Sequence, residues 1–94
     1  MAAPSGAAGT GALHVSVLSP EQTVYEGDAD QVVAPAYDGE LGILRGHAPL
    51  MALLGNGRLR ITSGGTTSVF TVDGGFLQVV GNVVTVLAEH AQAA

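Results

Sequence analysis

Gly39-Glu40-Leu41-Gly42-Ile43-Leu44-Arg45-Gly46-His47-Ala48-Pro49-Leu50 holds three glycines and a proline within twelve residues. Such a backbone turns sharply, twice, between two short strands. Gly42 and Gly46 permit positive φ or close backbone approach. Pro49 fixes its own φ and pushes Ala48 toward extended geometry. The loop presents Glu40, Arg45 and His47, and contacts commonly sit on loops held by a stiff β scaffold.

On both sides of this stretch, short β-like runs alternate with turn residues. Residues 13–17 (Leu-His-Val-Ser-Val) alternate apolar and polar, so they read as a strand with one wet face and His14 toward solvent. Residues 22–26 form a second strand around Val24 and Tyr25. Residues 30–36 form a third, in which Pro35 marks an edge or a bulge. Residues 41–44 and 50–54 flank the loop.

Asn56-Gly57 is a strong hairpin signal, so residues 58–62 are expected to return along residues 50–54. Leu59 and Ile61 then face one way, Arg58 and Arg60 the other. Residues 66–72 carry the Thr, Val and Phe that strands prefer. Residues 76–80 and 83–87, separated by Gly81-Asn82, are almost wholly apolar and are expected to be buried on both faces, with Phe76 as a core aromatic. Residues 88–94 offer at most one turn of helix. Turns recur about every ten residues, which favours an all-β sandwich or barrel over any α/β fold.

The chain has 94 residues, 47% of them hydrophobic and 12% charged. This fits one compact domain rather than a disordered tail. No apolar run approaches the roughly 20 residues that a membrane-crossing helix needs. Three arginines, no lysine and eight acids give a net charge of −5, which repels nucleic acid. Without cysteine, disulfides and thiolate metal sites are both excluded. Residues 1–12, small and uncharged, read as a disordered extension with neither a secretory signal nor a mitochondrial presequence. The domain is expected over residues 13–90, with residues 91–94 as a disordered tail.

Catalytic readings fail on specific absences. A P-loop needs a lysine, and biotinyl or lipoyl carriers need one to modify; this chain has none. No Gly-x-Ser-x-Gly elbow activates a serine. His14, His47 and His90 lack the spacing of zinc ligands, and His47 is expected to make a hydrogen bond that stabilises its turn. No catalytic, metal or cofactor-binding residue is therefore assigned. Asp38 and Glu40 are adjacent loop acids, either a solvated turn or a charged docking point.

The stretch from Gly39 to Pro49 closely resembles the Gly-(Asp/Glu)-x-Gly-Ile-x-x-Gly-His-x-Pro signature of epsilon subunits of the rotary F-type ATP synthase. Leu13-His14-Val15-Ser16-Val17-Leu18-Ser19-Pro20-Glu21 is similar to that family's opening strand. Gly57-Arg58-Leu59-Arg60-Ile61, Gly74-Gly75-Phe76 and Asn82-Val83-Val84-Thr85-Val86-Leu87-Ala88 match later ones, in order and spacing. The resemblance implies a β-sandwich of two sheets and about ten short strands. It implies a non-catalytic rotor subunit in the central stalk, linking the gamma subunit to the membrane c-ring and supporting the coupling of proton transport to ATP synthesis. Asp38 and Glu40 would lie toward the c-ring loops; Ser19, His47, Leu50, Met51 and Ala52 would lie toward gamma. The location implied is peripheral, on the cytoplasmic face of the bacterial inner membrane. Typical members continue into two C-terminal helices after the match to residues 87–89, so the resemblance also leads us to expect no inhibitory arm here. A β-sandwich adaptor of another multisubunit complex is the alternative reading.

Overall fold

A computed structural model describes residues 12–94, so all but Ala12 of the expected N-terminal extension lies outside the described residues. These residues form eight strands and no helix: β1 (Leu13–Leu18), β2 (Thr23–Ala29), β3 (Gln31–Ala36), β4 (Gly39–Leu44), β5 (Leu50–Leu53), β6 (Asn56–Ser63), β7 (Thr66–Val80) and β8 (Val83–Ala93). Hydrogen bonds join them into one sheet in the order β2-β1-β8-β7-β6-β3-β4, with β5 beside the second half of β7. All pairs are antiparallel except β1 with β8. Eight strands stand where about ten were expected; residues 66–72 and 76–80, which read as two runs, are continuous in β7.

The sheet is creased. In β7 the inward residues are Phe70 and Val72, then Leu77 and Val79, so the alternation slips by one between them. β8 slips likewise, from Val84, Val86 and Ala88 to Ala91, and the line from Leu54 to Leu59 and Ile61 does the same. Pairing register does not change across the slip: Phe76 faces Leu53 while Asp73 faces Asn56, and Gly75 faces Ala88 while Asp73 faces His90. Three neighbouring strands therefore bend along one line, at Gly55 and Gly74-Gly75.

Gly75 makes the bend possible. Its φ is +109°, and a Cβ there would collide with the Leu87 carbonyl and lie 2.9 Å from the Ala88 Cα. The crease divides the sheet into two leaves. The first comprises β1, β2, β5 and residues 75–80 and 83–88. The second comprises β3, β4, β6 and residues 66–73 and 90–93. One apolar core lies between the leaves, with Leu13, Val15, Val17, Ile43, Leu59, Ile61, Leu77 and Val84 almost wholly buried. The Tyr25 ring of the first leaf meets Phe70 of the second edge-on at 5.7 Å, closing the open side.

Several expectations hold. His14 lies on the outer side of β1, and Leu59 and Ile61 point inward opposite Arg58 and Arg60. Pro35 lies where the pairing of β3 is interrupted: β3 pairs with β6 as far as Val33 and Arg60, and the next bridge is Ala36 with Leu54, so the extra residues lie on the strand opposite Pro35.

Others are corrected. Asn56-Gly57 does not turn a hairpin; β5 and β6 run in line along β7. Gly55 N–H donates to Pro35 O (2.8 Å) and Gly74 N–H to Gly55 O (3.4 Å), which holds that stretch extended. Residues 76–80 and 83–87 are not buried on both faces, and Phe76 is 46% exposed. Nothing in the described structure covers the outer side of the first leaf. Residues 88–93 are strand rather than helix, and Ala91 packs on the core, so neither a domain end at residue 90 nor a loose tail at 91–94 describes them. Pairing to β7 imposes the strand on a stretch whose composition does not favour it.

Candidate docking surfaces

The outer side of the first leaf is built by register. Leu53, Phe76, Leu87 and Leu18 stand opposite one another across β5, β7, β8 and β1. At about 4.8 Å between strands, this apolar row is roughly 14 Å long. The next row is Met51, Gln78, Thr85 and Ser16; the third holds Val80, Val83 and His14. Met51 is 67% exposed and Leu53 59%. So many large apolar side chains on one face exceed the scattered exposure usual on a protein surface.

Beyond β1 this face becomes acidic. His14 lies between two carboxylates, with Nε2 at 3.3 Å from Glu26 and Nδ1 at 3.3 Å from Asp28. Tyr25, on the inner side of the same strand, donates its phenol proton to the backbone Asp28 O (3.4 Å). Burial, and secondarily the Asp28 carboxylate, pushes the Tyr25 pKa above its ordinary value of 10.0.

The residues expected at docking points occupy two ends of the molecule. Ser19 closes the β1–β2 turn, where its N–H and Oγ both donate to Gln22 O. His47 lies at the opposite end of β1, about 20 Å away by strand rise. There His47 N–H donates to Leu44 O (3.1 Å), and its Nδ1–H donates to Ala48 O (2.7 Å). The expected turn-stabilising role of His47 is thus present. Met51 lies on the apolar face; Leu50 packs inward against the core, and Ala52 is half-buried. The apolar face spans the gap between the Ser19 turn and the His47 loop.

Asp38 sits in the two-residue turn Tyr37-Asp38, with both side chains exposed. Glu40 is exposed too, but its carboxylate reaches back across β3 and accepts from Arg60 Nη2 at 2.9 Å. Sequence reading did not assign that partner.

Sequence reading also missed Leu18, Leu53, Phe76 and Leu87 as surface residues. The signal was faint: two glycines before Phe76, whose effect is to reverse which side chains face out. Among the described residues no group of three His, Asp or Glu is arranged to hold a metal ion, and the two carboxylates beside His14 meet opposite nitrogens of its ring. An open cleft of about 330 Å³ beside the crease is lined by Glu21, Thr71, Asp73, His90 and Gln92, among others.

A family model described as the β-sandwich domain of the ATP synthase delta/epsilon chain matches residues 12–94. The chain is 48% identical to an ATP synthase epsilon chain of Frankia casuarinae, an alignment taking in 85% of this chain and 95% of that one. It is 43% identical to the epsilon chain of Caulobacter vibrioides, over 84% and 92% of the two chains. Against the epsilon chain of Leptospira borgpetersenii the identity is 46%, over 83% of this chain and 61% of that one. Among solved structures, a chain of the Euglena gracilis mitochondrial ATP synthase superposes with a TM-score of 0.83 at 21% identity, covering 88% of this chain and 54% of that one. A chain from the Tetrahymena thermophila mitochondrial ATP synthase central stalk and c-ring gives 0.73 at 17% identity, over 86% and 66%. At these identities the two structures share its fold.

Proposed function

The chain belongs to the delta/epsilon family of ATP synthase subunits, and on that premise we propose how its surfaces serve the central stalk. It is a non-catalytic stalk subunit. The outer face of the first leaf receives the gamma subunit, along the apolar row Leu53, Phe76, Leu87 and Leu18 with Met51 beside it. The Ser19 turn and the His47 loop flank that contact at either end. Leu50 and Ala52 support it from below rather than touching the partner. The observation that carries this reading is the contiguous apolar face, left uncovered by the chain's own strands.

The Tyr37-Asp38 turn and Glu40 present negative charge to the polar loops of the c-ring. Because Arg60 already engages Glu40, that contact sets register more than affinity. A rotor joint must carry torque without slipping, which calls for a stiff scaffold and an interface of roughly 1,000 Å² or more. A creased sheet with one shared core is such a scaffold. No helix among the described residues is long and apolar enough to cross a membrane. The subunit is held at the cytoplasmic face of the bacterial inner membrane through its partners, where it supports coupling of proton transport to ATP synthesis. Co-purification tests the assignment: the tagged chain, expressed with its neighbours, should retain gamma and the c-ring through washing. Recovery of the chain alone would contradict it.

A further inference from the structure

The Gly81-Asn82 turn between β7 and β8 does more than reverse the chain. Asn82 has φ +66°, and it is the only non-glycine residue with positive φ among those described. Asparagine tolerates this conformation better than most side chains, and here the side chain has a use. Its Oδ1 accepts from Gly46 N–H at 2.8 Å, across 36 residues of sequence. Its backbone O accepts from His14 N–H at 2.9 Å. One residue therefore ties the start of β1, the β7–β8 turn and the loop of Arg45 to Pro49. Of the loop's other hydrogen bonds, His47 Nδ1–H to Ala48 O is internal to it and His47 N–H to Leu44 O reaches only the end of β4, the strand that leads into it. They shape the loop but do not fix it to the first leaf.

We infer that Asn82 is a positioning residue: its carboxamide clamps the Gly46 amide and so holds the His47 loop at the rim of the apolar face in the form that receives gamma. Val80 and Val83, exposed on either side of the turn, belong to that same face, so the clamp fixes the loop relative to the surface it flanks. This inference rests on the docking reading above. Without Asn82 the loop would be held only through the strand ends on either side of it, and the His47 N–H to Leu44 O bond would open more often as the loop moves.

Two variants separate the clamp from the turn. Asn82→Gly keeps the left-handed backbone and removes the acceptor; Asn82→Asp keeps an acceptor oxygen at the same reach. Amide exchange is read at Gly46 and His47, and affinity by titration with isolated gamma. Asn82→Gly should speed exchange about two- to tenfold, the range set by one net hydrogen bond, at Gly46 and also at His47. Its gamma affinity should fall by a similar factor, with melting little changed and Asn82→Asp close to wild type. Faster exchange at Gly46 alone would overturn the inference, since Asn82 would then serve one amide and not the loop. Unchanged gamma affinity with a released loop would overturn it too. If the unaltered chain fails to bind gamma, the docking reading falls, and with it the part of the inference that concerns gamma. The exchange measurements still decide whether Asn82 holds the loop.

Discussion

The two leaves share β7 and β8, yet their outer faces differ in kind. The first leaf exposes Met51, Leu53, Phe76 and Leu87. The second exposes Arg58 and Thr71 opposite each other, with Arg60 bound to Glu40 nearby. The same strands supply both surfaces, and what separates them is the slip in alternation at Gly74-Gly75. With an unbroken period of two, Leu77 and Val79 would face out and Phe76 and Gln78 would face in. The crease thus decides both which residues form the core and which stay exposed on the outer face.

The comparison is most easily broken at the crease itself. Gly75→Ala should destabilise the fold by roughly 3–5 kcal/mol, combining strain at positive φ with a clash against the Leu87 carbonyl. Urea unfolding measures this, and a loss below about 1 kcal/mol would mean the crease tolerates a side chain. Truncation on its two sides sharpens the contrast. Leu77→Ala, in the core, should cost about 2–5 kcal/mol; Phe76→Ala, its outward neighbour, should cost well below the 3–5 kcal/mol of a buried phenylalanine. Equal losses would place Phe76 inside.

Smaller effects belong to the polar groups. Glu40→Gln removes an exposed ion pair worth roughly 0–1 kcal/mol, and the difference should vanish in high salt. A loss that survives high salt would require another role for Glu40. Tyr25 should give the smallest change. Its raised pKa means that the folded chain holds the phenol proton more tightly than the unfolded one. The stability this gives is complete below the ordinary tyrosine pKa of 10.0 and is lost as pH rises through the folded value. Between about pH 9 and 11 the melting temperature should fall more steeply in the unaltered chain than in Tyr25→Phe. Parallel curves would remove this contribution.

Much of the fold was legible because local signals agreed with tertiary demand. Leu13, Val15 and Val17 alternate with polar residues and are buried; Leu59 and Ile61 do the same. Gly81-Asn82 turns a two-residue hairpin, with Val80 paired to Val83. Reading failed where distant backbone decided the outcome. Asn56-Gly57 is a strong turn signal locally, but Pro35 O and the β7 amides hold that segment straight. The runs around Phe76 and Val83 look doubly buried because they are apolar, and composition cannot reveal that one side is left uncovered. Of the residues expected at the docking surfaces, Met51 stands on the apolar face and His47 and Ser19 flank it. Leu50 was placed by motif alone, and the pleat turns it inward.

The claim that the first leaf's outer face is the docking face is tested most directly by charge placed on each leaf in turn. Leu53→Asp and Arg58→Asp both alter exposed side chains, and neither should shift melting by more than a few degrees. Binding to isolated gamma should weaken at least about tenfold for Leu53→Asp, the loss expected when a charge replaces an apolar contact at an interface. Arg58→Asp should bind as the unaltered chain does. Loss of binding with Arg58→Asp and its retention with Leu53→Asp would contradict the account and move the partner to the second leaf.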